Sequence, residues 1–280
     1  MSLELDARQR AMLQEMGVRV WQPESSLERV DATGPSPAAQ AGAEVRANVP
    51  EKMATDVRPA RPEGRIATQS PAPVAAVAKP LPADIAAMDW AELQQTVAAC
   101  QSCGLCKSRK NTVFGVGDTQ ARWLVVGEAP GENEDLQGEP FVGQAGQLLD
   151  NMLKAVSLSR TGSGAHGVYI ANVLKCRPPA NRNPQPEEML QCEPYLQRQV
   201  QLLQPKIILA LGRFAAQSLL QGSVPDVAST PLGKLRGQVH HYQGVPVIVS
   251  YHPAYLLRTP HDKAKAWADL CLAQDVARRP

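Results

Sequence analysis

Several things are missing from this 280-residue chain, and each absence removes a class of function. No apolar run approaches the roughly 18 residues that a membrane span needs, so no membrane association is expected. The opening "MSLELDARQR" has no apolar stretch behind its charges, and a secretory leader is not expected there. An excess of one charge is also missing: 29 Lys and Arg face 27 Asp and Glu, a formal net charge of +2. That permits polyanion binding without a polybasic face to announce it. The balance is uneven, because residues 1–90 hold 10 basic and 12 acidic side chains and the remainder holds 19 and 15. The basic part of the chain therefore lies after position 90. Cysteine is sparse, with six in all. Without a leader these belong in a reducing cytoplasm, where metal ligation or catalysis is the expected use rather than disulfides.

What is present divides the chain in three. Residues 34–83 contain nine prolines in fifty positions, and stretches such as "SPAPVAAVAKPLPAD" neither sustain a helix nor bury much surface. A disordered or polyproline-II-like linker is expected over 34–85. Before it, residues 1–33 contain "DARQRAMLQEMGVRVW", with Met12, Leu13, Met16 and Val20 at helical spacing. A tethered amphipathic helix of this kind is a docking peptide or a frayed terminus. The stretch loosely resembles the start of the bacterial polymerase III psi subunit, which implies a replication or repair partner through residues 6–21.

From residue 86 to 280 the pattern alternates. "WLVVG" (123–127), "VYIANVL" (168–174), "IILALG" (207–212) and "VIVSYHP" (247–253) read as buried strands. "AGQLLDNMLKAV", "PEEMLQCEPYLQRQVQLL", "GRFAAQSLLQG" and "DKAKAWADLCLAQDVARR" read as helices. The second of these opens with Pro and two acids, as a helix start prefers. Apolar strands alternating with helices predict an α/β fold: a three-layer α/β/α domain on a mainly parallel four-stranded sheet, preceded by a disordered extension.

In such sheets ligands bind beyond the carboxyl ends of the strands. The first strand delivers Gly127, Glu128, Ala129, Pro130 and Gly131; the second Asn172, Lys175 and Cys176; the fourth Tyr251, His252 and Pro253. The glycine-rich loop after the first strand lacks both phosphate signatures, G-x-x-x-x-G-K-[ST] and G-x-G-x-x-G. It carries Glu128, Glu132, Glu134, Asp135 and Glu139 instead, and these carboxylates would repel a triphosphate. A flat neutral ligand gripped by backbone groups, with Phe141 stacked on it, fits the loop better. A nucleobase is such a ligand. Among the cysteines, Cys100 and Cys103 form a C-x2-C pair, and Cys176 and Cys192 lie farther on. This set can bind zinc or an iron–sulfur cluster, and the spacing alone does not choose. Cys106 is a spare for the first pair, and Cys271 reads as an ordinary buried thiol.

Taken together, "CxxCxLCxxR", "VFGVGD", "GEAPGENEDLQGEPFVGQAGQLL", "NVLKCRPPANRNPQPEE", the cysteine fifteen residues on, and "HPAYLLR" resemble the family 4 uracil-DNA glycosylases. These are the iron–sulfur branch of the uracil-DNA glycosylase superfamily. The resemblance spans roughly residues 95–270, keeps motif order and leaves residues 1–85 outside. It implies a DNA base-excision repair hydrolase that flips deoxyuridine from DNA and cleaves its N-glycosidic bond, leaving an abasic site. The partner is uracil-containing DNA, single- or double-stranded, and the enzyme is expected to be a cytoplasmic monomer. No lysine nucleophile stands in the matched motifs, so strand cleavage is not expected.

The resemblance also implies roles. A [4Fe–4S] cluster would sit on Cys100, Cys103, Cys176 and Cys192, where Cys100 rather than Cys106 keeps the family distance to Phe114 and Gly115. Phe141 would stack on uracil, a contact worth about 1–3 kcal/mol that tolerates any base. Asn172 would read the O4/N3–H edge, to which cytosine presents the opposite pattern. His252 would stabilise the departing uracil anion at O2. Gly127, Glu128 and Ala129 would line the pocket. The better-known branch has an Asp where this chain has Ala129, so water activation falls to Glu128 or is weak. Glu134 would crowd the thymine methyl, Leu256 would wedge into the emptied stack, and Arg258, Lys234 and Arg236 would contact phosphates. Two rivals remain: a non-catalytic module that binds uracil or damaged DNA, and an iron–sulfur electron carrier. The second has no need for the Phe141, Asn172 and His252 set.

Overall fold

The computed structural model describes residues 81–279 with the exception of Ala83. The amphipathic segment and nearly all of the Pro/Ala-rich linker therefore lie outside the described residues. The folded chain begins earlier than the composition suggests. Ile85, on the linker side of the expected boundary, is only 5% exposed and packs with Met88, Leu93, Val97, Phe114 and Tyr195.

The four expected strands form the centre of a six-stranded sheet. They are β2 (Trp123–Gly127), β3 (Val168–Asn172), β4 (Ile207–Leu211) and β6 (Val245–Ser250), with β1 (Val116–Gly117) and β5 (Val239–Tyr242) at the edges. The order is β1-β3-β2-β4-β6-β5. The central four run parallel, while β1 joins β3 and β5 joins β6 antiparallel. The two edge strands were not expected. β1 is two residues long, and β5 shows the half-exposed alternation of an edge rather than an apolar run.

Period-two alternation builds the layers. Trp123, Val125, Val168, Ile170, Ile207, Leu209 and Ile248 face one side of the sheet. There they meet α3 (Gln144–Ala155), through Leu148, Leu149, Met152 and Leu153, and α8 (Lys263–Ala277), through Trp267, Leu270 and Ala273. Leu124, Val126, Tyr169, Ala171, Ile208, Ala210, Val247 and Val249 face the other side. That side is covered by α4 (Pro186–Leu203) and α5 (Arg213–Leu220). With every central strand covered on both faces, continuous apolar runs are what the fold requires.

The shorter helices place the rim. α1 (Trp90–Ala99) starts on a capping box in which the Glu92 amide donates to Asp89 and the Asp89 amide donates to Glu92, both at 2.9 Å. α2 (Glu132–Gln137) follows β2, α6 (Leu232–Leu235) precedes β5, and α7 (Pro253–Arg258) follows β6. Strands β3 and β4 lie on either side of β2, reached by crossovers on opposite faces, so the chain reverses direction at β2. A crevice opens beyond the carboxyl ends of the strands at such a point.

Candidate active site

That crevice holds a cleft of about 520 Å³ lined by Glu128, Ala129, Gly131, Glu134, Phe141, Ala145, Asn172, Asn181, His252, Ala254, Tyr255 and Arg258. Its size falls within the usual range for a small-molecule site. These side chains arrive from the last residue of β3 and from the segments that follow β2, β3 and β6.

Phe141 and Asn172 converge on Gly127. A Cβ built at Gly127 would lie 2.4 Å from Asn172 Oδ1 and 2.6 Å from the Phe141 ring. Only glycine lets the ring and the amide share this corner. Phe141 itself has φ 56°, an uncommon conformation for a bulky residue. The conformation is held from outside, because Arg160 donates to the carbonyls of Pro140 (3.0 Å) and Phe141 (2.9 Å) while its Nε donates to Asp150 (2.7 Å). Gly146 completes the seat, since a Cβ there would fall 1.7 Å from the Phe141 carbonyl oxygen. Asn172 is 2% exposed, and its Oδ1 is buried without a hydrogen-bond partner. A buried acceptor with no donor is costly, about 1–3 kcal/mol, and marks a place where a ligand's N–H would be welcome.

His252 stands across the cleft, its ring stacked on Phe141 at 5.4 Å and 27°. The Ala254 amide donates to His252 Nδ1 at 3.2 Å. An amide can only donate, so Nδ1 carries the lone pair and a neutral ring keeps its proton on Nε2. Burial, reinforced by the Arg258 charge, lowers the His252 pKa to about 4, so the ring is neutral near pH 7. Glu128 moves the other way. Burial raises its carboxyl to about 7.

Other expected residues stand elsewhere. Glu134 lines the cleft, but its carboxylate is turned onto the loop backbone, accepting from Gly131 N–H (3.0 Å) and Val142 N–H (3.1 Å). It clasps the loop rather than presenting a free carboxylate to a base. Leu256 is corrected: it is fully buried in the core, and the neighbouring Leu257 is the exposed one, at 41%. Residues 253–258 form helix α7, and a helix turns adjacent side chains about 100° apart. Arg236 is corrected too. Its Nε donates to the buried Asp269 at 2.7 Å, and its guanidinium lies over the Tyr251 ring at 4.3 Å, so it braces the fold. Lys234 and Arg258 are exposed, as a phosphate contact requires.

A second site lies behind the first. Cys100, Cys103, Cys106, Cys176 and Cys192 line one small void together with Arg109, Lys175 and Tyr195. All are free thiols, and Cys176 and Cys192 are buried. Burial raises the thiol of Cys176 to about 11 and that of Cys192 to about 12. Arg109 Nη1 donates to Cys176 Sγ at 3.1 Å. Among the described residues, no three His, Cys, Asp or Glu side chains converge closely enough to hold a single metal ion. The donors ring a space instead of meeting at a point, and a set of soft sulfur ligands so disposed suits a polynuclear group.

Sequence reasoning passed over Asn181 and Tyr255 in the cleft and Arg160 behind it. Asn181 stood inside the quoted "NRNP" motif without a role. Arg160 has no local signal, because its partners lie ten to twenty residues upstream.

A model described as the uracil DNA glycosylase superfamily matches residues 114–271, more than half of the chain. A type-4 uracil-DNA glycosylase of Archaeoglobus fulgidus is 44% identical over 173 residues, covering 60% of this chain and 83% of its own. One from Pyrobaculum aerophilum is 41% identical over 191 residues, covering 66% and 93%. One from Thermotoga maritima is 40% identical over 169 residues, covering 59% and 82%.

Proposed function

The chain belongs to the uracil-DNA glycosylase superfamily, and from that premise we propose that it removes uracil from DNA by hydrolysing the N-glycosidic bond of deoxyuridine. The observation that carries the reading is the orphaned Oδ1 of Asn172 in the cleft beyond the strand ends. Oδ1 accepts from uracil N3–H and the amide NH2 donates to O4; cytosine would oppose a lone pair to Oδ1. Phe141 stacks on the flipped ring.

Cleavage breaks the C1′–N1 bond, and the electron pair moves onto uracil N1 and is delocalised to O2. His252 Nε2–H donates to O2 as that charge develops. A neutral donor suits this step because its hydrogen bond strengthens only toward the transition state. Glu128, poised near neutrality, takes a proton from the water that adds at C1′. No lysine lines the cleft among the described residues, which supports a hydrolase that leaves an abasic site without cutting the strand. Arg258 at the cleft and Lys234 outside it contact phosphates, and Leu257 on α7 takes the wedge position that Leu256 cannot fill.

Cys100, Cys103, Cys176 and Cys192 would hold a [4Fe–4S] cluster. The support is the convergence of these thiols on one void, the Arg109 guanidinium that donates to Cys176, and the type-4 relatives. When bound, such a cluster would supply thiolate cross-links between the segment before β1, the end of β3 and helix α4. No helix among the described residues is long and apolar enough to cross a membrane, and the free thiols fit a reducing cytoplasm.

The test is single-turnover glycosylase activity on a uracil-containing oligonucleotide, with His252→Ala alongside. Abasic product from the wild type and a loss on the order of a hundredfold or more in the variant is the expected result. Tight binding with no abasic product would overturn the catalytic reading.

A further inference from the structure

We propose that Lys175 is the positioning residue for base recognition, setting Asn172 while tying it to the thiol-lined void. The inference rests on the reading of Asn172 as the residue that contacts uracil. Lys175 is 1% exposed, and no carboxylate neutralises it. A lysine buried without an acid is rare. Its ammonium has three N–H donors, and three oxygens surround it: the Asn172 carbonyl (2.8 Å), Gln199 Oε1 (2.7 Å) and the Phe114 carbonyl (3.4 Å).

These oxygens come from three parts of the chain: the end of β3, the middle of α4 and the loop before β1. Gln199 is itself fully buried and donates Nε2–H to the same Phe114 carbonyl at 3.0 Å. Lys175 Nζ is the donor that reaches all three oxygens, and a side chain without donors there would leave the Asn172 carbonyl and Gln199 Oε1 without it. The Lys175 nitrogen therefore has a fixed place. It fixes the peptide from which the Asn172 side chain springs.

The backbone of Lys175 serves the other site. Its amide donates to the sulfur of Cys192, and its carbonyl accepts from Val113 N–H at 2.8 Å. Between the two ends, Val173 N–H donates to the Gly127 carbonyl (3.0 Å) and Leu174 N–H to the Glu128 carbonyl (3.1 Å). Residues 172–176 thus form a strap with the base-reading amide at the cleft and a thiol at the other end. Lys175 folds back over the strap and locks its length. A displacement at the thiols is carried to Asn172 through this one residue.

The experiment is a double-mutant cycle on the full chain with Lys175→Met and Asn172→Ala. Three quantities are read: the single-turnover rate, the visible absorbance of the purified protein, and equilibrium binding of oligonucleotides carrying 2′-fluoro-deoxyuridine or its cytosine counterpart. Lys175→Met is expected to slow cleavage by on the order of a hundredfold, as small misplacements do. It is also expected to lose the binding preference for uracil over cytosine while keeping the visible band. In the Asn172→Ala background it should add nothing. Gln199→Met, which removes one partner and leaves the ammonium in place, should show a smaller loss with the same non-additivity. It carries the test if Lys175→Met does not fold. An equal loss in both backgrounds, an unchanged rate in Gln199→Met, or disappearance of the visible band with Lys175→Met would each overturn the proposal. If Asn172→Ala alone left rate and base preference intact, the reading of Asn172 would fall first, and this inference with it.

Discussion

At the scale of single residues, the site works by moving two ionisable groups in opposite directions. Burial takes the proton off His252 and leaves it on Glu128 over most of the acidic range. Activity should therefore rise as pH climbs toward about 7 and Glu128 ionises, then level off. His252 contributes no limb between pH 5 and 9, because it is already neutral there. A pH–rate profile of wild type and Glu128→Gln checks this: the variant should be slower and flat through neutrality. The same shift acts on stability. The folded carboxyl holds its proton more tightly than the unfolded one, so Glu128 favours the fold below its ordinary value of 4.5 and loses that contribution as pH rises to about 7. These residues were named from the sequence by resemblance, and both line the cleft. Their protonation states were not legible, because burial is set by elements far away in the chain. Arg160 shows the same limit, since nothing near it in sequence points to Phe141.

At the scale of elements, apolar runs and helical faces were enough to place the central strands and the helices that cover them. They failed where an element is short or half exposed. β1 has two residues, and β5 alternates exposed with partly buried positions, so neither reads as a buried strand. The wedge was misplaced for a related reason: matching the "HPAYLLR" motif finds a leucine but not the face of α7 on which it lies. Paired variants separate the two. Leu256→Ala should cost about 2–5 kcal/mol of stability by opening a cavity, with its remaining folded fraction still active. Leu257→Ala should leave the melting temperature nearly unchanged and weaken activity on double-stranded more than on single-stranded substrate. Thermal melts and rates on both substrates decide. If Leu257→Ala acts equally on both, α7 carries no wedge.

At the scale of the molecule, the folded unit reaches back beyond the boundary that composition suggests. Proline content marks where a chain cannot make helices, not where it begins to pack, and Leu81 and Ile85 already pack with Leu93, Phe114 and Tyr195. A chain beginning at Leu81 should keep the full single-turnover rate on short oligonucleotides. One beginning at Ala87 should melt lower, by several degrees for each kcal/mol lost. Calorimetry and the activity assay test both, and a large rate loss in the first would show that residues 1–80 serve catalysis directly. The flanks of the sheet have a consequence of another kind. β1 ends where Gly117 is pressed onto the Val168 carbonyl, leaving no space for a side chain, and β5 is four residues long. Neither flank offers a long flat ladder for a second chain to copy. Among the described residues, the sheet thereby gives strand-by-strand stacking into fibres little edge to grow from.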